Sequence, residues 1–386
     1  MSNLSLSASG GLSTHRLVGL GALAFLVLPV EPGSAATPPA EDAVSHTVNA
    51  PELSFDSDAS FLKYPKNFGE VLGVAVDSKG LIVVLNHPGT ATTGPLYGNA
   101  TTQVLEFDAS GRFVREIGDG VYGLGYSHSA RFDRQDNLWI VDKGTDSVIE
   151  FDPMGHVLMN LGRRFEGYDG RPPERPDPSK AVPVDGFFNG PTDVAWDPDG
   201  NIFISDGYQN SRIAKLTPSG DWIKSWGSYG EGGVHADQNP SMFKNPHNMQ
   251  ADRSGNLYVA DRGNRRIHVF DRDGKFLRFI FLAVPYDKSR HPVLGNLPPA
   301  PARPDESAPW ALCITPTATQ YLFAADAEPG RIYKISLDGK ILGWFGSSGR
   351  KSGQFNWPHA LACPSENTLF VADMNNWRVQ KITLHP

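Results

Sequence analysis

Asn245-Pro246-His247-Asn248-Met249-Gln250-Ala251-Asp252-Arg253-Ser254-Gly255-Asn256-Leu257-Tyr258-Val259-Ala260-Asp261-Arg262 decides the fold. A histidine opens a short run, an Asp-x-x-Gly-Asn turn reverses the chain, an alternating run Leu257 to Ala260 returns, and an Asp-Arg pair closes the unit. Period-two alternation marks half-buried strands. Glycine and Asx residues supply the positive φ and local hydrogen bonds that a tight reversal needs.

The unit recurs. Aligned on the residue that closes the second strand, six copies run Asp77 to Asn86, Asp133 to Asp142, Asp197 to Asp206, Asp252 to Asp261, Thr317 to Asp326 and Pro364 to Asp373, each with a spacing of nine. Third strands such as Arg212 to Leu216 and Arg331 to Ile335 follow most copies, then turns such as Asp271-Arg272-Asp273-Gly274, then fourth strands such as Asp221 to Trp226. Four antiparallel strands in each of six units predict an all-β fold, a six-bladed β-propeller over residues 52–386. The last copy ends after its third strand at Lys381-Ile382-Thr383, so an N-terminal strand around Glu52-Leu53-Ser54-Phe55 is expected to close the ring without a bare sheet edge. Two long connections, Arg163 to Phe188 and Phe281 to Pro309, should share one face, and Ala91 to Asn99 is a third insertion.

A formal charge of −7 without blocks of like charge gives no footprint for nucleic acid or an anionic membrane, and neither partner is expected. Residues 1–36 read as an export signal: Arg16, an apolar run from Leu17 to Val30, then Gly33-Ser34-Ala35-Ala36. That run, at about 14 residues, is short of the ~20 a membrane span needs. The mature chain is expected outside the cytoplasm, periplasmic or secreted, as a monomer with a flexible segment at 37–51. Two cysteines, Cys313 and Cys363, exclude a disulfide framework and leave a single bridge open.

Counting back fourteen residues from each closing position gives Leu72, His128, Thr192, His247, Leu312 and His359. Histidine occupies alternate blades, at the start of the innermost strand, so the three imidazoles can meet in the central channel. Three neutral histidines with a fourth position open are the ligand set of a catalytic zinc, although copper, iron or nickel also take imidazole. The residues just after the closing positions, His87, Lys143, Gly207, Arg262, Ala327 and Met374, lie on the same rim. Tyr208 projects over the channel from blade three as a candidate base, and Arg262 is a candidate anion holder. His46, His156, His235, His268, His291 and His385 share no repeat position and read as surface residues.

These residues carry a resemblance. Pro191-Thr192-Asp193-Val194-Ala195, Asp206-Gly207-Tyr208 with Asn210-Ser211-Arg212-Ile213, Pro246-His247, Ala260-Asp261-Arg262 and Trp357-Pro358-His359 make residues 65 to 384 similar to the NHL-repeat propeller lyases of the peptidyl-α-hydroxyglycine α-amidating lyase family. The resemblance implies that His128, His247 and His359 bind zinc, that Tyr208 and Arg262 are catalytic, and that an N-acylated α-hydroxyglycine is split into an amide and glyoxylate. The chain departs from the family pattern at four points. His87 stands where a second active-site arginine is expected, which makes it a third candidate catalytic residue. Ala360 replaces a carboxylate ligand of a structural calcium, so calcium is doubtful. Gln209 replaces a cysteine, and Trp357 a smaller residue. The reading is therefore a zinc-dependent carbon–nitrogen lyase for a small-molecule or peptide substrate. The alternatives are a metal-dependent hydrolase or isomerase on the same site, and a non-catalytic propeller that binds a peptide, glycan or protein.

Overall fold

The structure is a computed structural model and describes residues 46–90, 101–162, 177–230, 239–287, 305–326 and 328–385. The proposed export signal and the Ala91 to Asn99 insertion lie outside the described residues, as does much of both long connections. The described residues form six four-stranded antiparallel sheets, each a blade running from the channel outward. Their inner strands are Glu70–Val76, Ser127–Phe132, Asp193–Trp196, Pro246–Ala251, Pro309–Ile314 and Pro358–Ala362. The outer strand of blade six is Phe55–Asp58, paired antiparallel with Arg378–Leu384, so the ring closes as expected. That strand starts later than the sequence suggested, because Leu53 instead donates its backbone N–H to the Trp344 carbonyl of blade five.

The repeat motif has a direct structural cause. Asp77, Asp133, Asp197 and Asp252 each accept backbone N–H groups two and four residues on, which folds the inner hairpin. The fourth turn position has φ of 87° at Gly255, a left-handed conformation that glycine adopts without steric cost. Apolar faces of neighbouring blades then meet in six clusters, one at each blade junction. A disulfide between Cys313 and Cys363 ties the inner strand of blade five to the residue just after the inner strand of blade six, settling the pairing that the sequence left open.

A single guanidinium crosses the bore. Arg131 pairs with both carboxylate oxygens of Asp193 at 2.6 and 3.0 Å and also reaches Asn248 Oδ1 and the carbonyls of Leu312 and Leu361. These partners come from blades three, four, five and six. Asp193 is fully buried, and among the described residues Arg131 is the cation that pairs with it. Removing one partner of such a pair costs about 3–5 kcal/mol, because the other charge remains buried. Arg131→Met should lower the unfolding free energy by that order in denaturant titrations; an unchanged midpoint would show that the guanidinium does not clasp the ring.

Closing aspartates hold the third strands. Arg212, Arg266 and Arg378 donate through Nε to Asp206, Asp261 and Asp373 at 3.1, 3.1 and 2.9 Å. Blade five breaks the pattern, since Arg331 turns to the carbonyls of Val284 and Pro285 and stacks over Trp344. Asp326 is left with an unpartnered Oδ2, and burial pushes its carboxyl up to about 7. The folded chain then keeps a proton that the unfolded chain, with an ordinary value of 3.8, releases. Stability should therefore fall as pH rises from about 4 to about 7. Burial also raises Asp142, Asp206 and Asp373, with the same sign. In Asp326→Asn, melting temperature against pH should decline less steeply than in the parent chain; identical slopes would contradict this account.

Candidate metal centre

The closing aspartates also aim the histidines. Asp142, Asp261 and Asp373 accept the backbone N–H of Tyr126, Lys244 and Asn356, which fixes the chain just before His128, His247 and His359. Each histidine then donates Nδ1–H to a main-chain carbonyl of the next blade: His128 to Thr192 at 2.7 Å, His247 to Trp310 at 2.8 Å and His359 to Leu72 at 2.8 Å. Even-numbered blades supply imidazoles and odd-numbered blades supply acceptors. With Nδ1 protonated, every Nε2 carries a lone pair, and such a fixed second hydrogen bond orients metal-ligating histidines.

The three rings meet. Their centroids are 4.7, 4.7 and 4.9 Å apart, and their ligand atoms lie within 4.8 Å of one another. Burial pushes all three well below the ordinary imidazole value, His359 to about 3, so all are neutral at physiological pH. His247 Nε2 is buried without a hydrogen-bond partner. An orphaned lone pair beside two further imidazoles fits a borderline metal ion such as zinc. The oxygens deeper in the bore are different: those of Asp193, Asn248, Leu312 and Leu361 already surround the Arg131 guanidinium, and they do not fit a calcium ion while it is there. Ala360 lies in the apolar cluster between blades six and one.

Tyr208 and Arg262 join the cluster. A Cβ at Gly207 would collide with the Pro246 carbonyl oxygen, so only glycine lets the blade-three loop approach the His247 strand. Tyr208 Oη then lies 3.2 Å from His128 Nε2. Burial pushes the phenol up, but Lys143 and then Arg262 outweigh it and hold Tyr208 below the ordinary phenol value. The Arg262 guanidinium lies 4.1 Å over the Trp310 ring, and Trp310 stands edge-on to Trp357 at 4.5 Å.

His87 is placed differently. It is fully buried against Tyr126 with neither ring nitrogen hydrogen-bonded, and burial pushes it down to about 4. It is neutral and does not supply an arginine's charge. Lys143 does reach the site, with Nζ 4.4 Å from the Tyr208 centroid. It follows Asp142 as Arg262 follows Asp261, a parallel visible in the sequence.

Two sequence expectations are corrected. The blade-five counterpart of the histidines is Trp310, not Leu312: Pro309 pairs with Asp326 as Pro246 pairs with Asp261, and the blade-five hairpin holds two extra residues. His268 is buried and bonds Asp261 at 3.0 Å, and His46 is half-buried on Glu306. His156 and His385 are exposed as expected, and His235 and His291 lie outside the described residues.

The chain matches no protein-family model. It is 27% identical over 344 residues to the peptidylglycine alpha-amidating monooxygenase of Rattus norvegicus, covering 82% of this chain and 30% of that protein. It is 26% identical over 336 residues to the peptidyl-alpha-hydroxyglycine alpha-amidating lyase 1 of Drosophila melanogaster, covering 81% of this chain and 57% of that one. The chain thus spans about a third of the length of the first of these relatives. A solved structure described as a streptogramin B lyase superposes with a TM-score of 0.52 at 14% identity, covering 86% of this chain and 98% of that one, and shares the fold. The chain is a six-bladed propeller distantly related to amidating-lyase-type and NHL-repeat proteins.

Zinc added to metal-free protein should raise the melting temperature, by about 4 kcal/mol of stability at a thousandfold excess over Kd. In His359→Ala the gain should vanish while the far-ultraviolet spectrum is kept; an equal gain in the variant would rule out the three-histidine site.

Proposed function

We propose that the chain is an exported, metal-dependent lyase that cleaves the carbon–nitrogen bond of an N-acyl-α-hydroxyglycine-like substrate to an amide and glyoxylate. The observation that carries this reading is the convergence of three carbonyl-anchored imidazoles with a phenol hydrogen-bonded to one of them and a guanidinium beside it. A bound zinc ion would supply Lewis-acid polarisation of a substrate oxygen.

The chain's own residues do the rest. Tyr208, held toward the phenolate by its cations, takes the proton of the substrate hydroxyl. The freed electron pair forms the aldehyde C=O bond, the C–N bond breaks, and the nitrogen leaves with that bonding pair. Transfer of the proton taken up by Tyr208 to the departing nitrogen completes the amide and restores the phenolate, so atoms and charge balance. Arg262 lies beside Tyr208 with its guanidinium carbon 5.9 Å from the ring centroid, where it offsets the negative charge on the hydroxyl oxygen and the carboxylate. The buried Trp310 ring, backed by the half-buried Trp357, shields the Arg262 side from water. A location outside the cytoplasm, periplasmic or secreted, is supported by the leader-like residues 1–36 and by the Cys313–Cys363 disulfide, which suits an oxidising compartment. No helix among the described residues is long and apolar enough to cross a membrane.

Purified zinc-loaded protein should release glyoxylate from N-benzoyl-α-hydroxyglycine, and Tyr208→Phe should lower kcat by about 10²–10⁴-fold, the usual weight of a general base. A product carrying added water in place of glyoxylate would indicate a hydrolase, and turnover unaffected by the substitution would refute the assignment of Tyr208.

A further inference from the structure

Blade three supplies no imidazole, yet it holds the strands that carry two of them. Thr192 occupies the position that histidine takes in the even-numbered blades, and its main-chain carbonyl accepts the Nδ1–H of His128. The corresponding residues of the other odd-numbered blades, Leu72 and Trp310, offer carbonyls to His359 and His247. Of these three acceptor residues, Thr192 is the one with a side-chain hydroxyl. Its Oγ1 lies against Ser205 Oγ and 2.9 Å from the Pro246 carbonyl oxygen, while Ser205 Oγ lies 3.1 Å from the carbonyl oxygen of His247 itself. Both side chains are buried, so water does not compete for these bonds.

The proton count makes the direction of this link definite. The contact between the two hydroxyls uses one of their two protons, which leaves the other for the carbonyl of Pro246 or of His247. The Ser205 carbonyl, 3.1 Å from Thr192 Oγ1, is already bonded by the Thr192 backbone N–H at 2.8 Å. Thr192 therefore orients His128 through its carbonyl and, with Ser205, anchors the His247 strand through its side chain. Asp193 repeats the linkage one residue on, accepting from Ser129 Oγ, next to His128, and from the backbone N–H of Met249, each at 2.9 Å. His359, by contrast, is oriented from blade one, by Leu72.

We propose that Thr192 and Ser205 are positioning residues of the metal centre, whose hydroxyl pair sets His128 and His247 as a fixed pair on which His359 closes. The inference rests on the three-histidine site and is independent of the lyase chemistry. Thr192→Val isolates the hydroxyl, since valine keeps the branched shape at Cβ and leaves the main-chain carbonyl in place.

The test has two arms on the full chain, comparing the parent with Thr192→Val, Thr192→Ser and Ser205→Ala. In the first, nuclear magnetic resonance of metal-free protein labelled with nitrogen-15 at histidine follows exchange of the three Nδ1–H protons with water. In Thr192→Val the His128 and His247 protons should exchange about tenfold faster or more, with the His359 proton unchanged, as for a local opening. In the second, zinc affinity is measured by competition with a chromophoric chelator, and the visible bands of bound cobalt(II) report ligand geometry. Thr192→Val and Ser205→Ala should weaken zinc about 10–100-fold, the usual effect of losing a group that orients metal ligands, and should shift the cobalt bands. Thr192→Ser should restore both. A role in stability only would lower the melting temperature and leave zinc affinity and cobalt bands unmoved. Should Thr192→Val not fold, Ser205→Ala carries the same expectations. Equal acceleration at all three histidines, or a parent that binds zinc no more tightly than these hydroxyl-deleted variants, overturns the proposal. In a parent that takes up no zinc, selective acceleration still supports the fixed pair and counts against the metal reading alone.

Discussion

Three hydrogen bonds from histidine Nδ1 to the main-chain carbonyls of Thr192, Trp310 and Leu72 are the constraint on which the site depends. Each one crosses a blade junction, so the orientation of every imidazole is set by the neighbouring blade as well as its own. The ring must be closed for all three to form together. That closure comes from the pairing of Phe55–Asp58 with Arg378–Leu384 and from the six apolar junctions between blades. The Arg131 guanidinium adds a charged link across the bore beneath the histidines. Site and scaffold are therefore coupled, because the same inner strands line the channel and carry the three histidines.

The repeat also explains how the surrounding groups were recruited. In blades two, three, four and six the closing aspartate fixes the chain entering the inner strand, and the residue after it stands at the channel rim. Most of the site's polar groups occupy these two kinds of position: histidine at the first in alternate blades, and Lys143 and Arg262 at the second. Blade three contributes differently, through Gly207, whose missing side chain lets Tyr208 lie against the His128 and His247 rings. Charges held at fixed distance in a mostly buried site act more strongly than they would in water, which is why two cations outweigh the burial of the Tyr208 phenol.

Much of this was legible in the chain because a repeat converts sequence position into spatial position. His128, His247 and His359 could be placed around one point by counting from a shared aspartate, and the closing strand could be inferred from a missing fourth strand in the last copy. Counting failed at Trp310, where the blade-five hairpin is longer by two residues and shifts the register. It was silent on Arg131, whose partners are contributed by four other blades and share no spacing with it. Lys143 was in view as a rim residue, yet its role depends on the distance to Tyr208, set by how blades two and three pack. His268 was misplaced because it shares no repeat position with the other histidines and so reads as a surface residue, while here it satisfies Asp261 and stacks on Phe243.

The central claim is that three imidazole nitrogens share a single ion. X-ray absorption of the zinc-loaded protein measures that shell directly. The account predicts three nitrogen scatterers at about 2.0–2.1 Å with the outer-ring pattern of imidazole, completed by a light oxygen donor. A shell made only of oxygens, or one with a single imidazole, would contradict it.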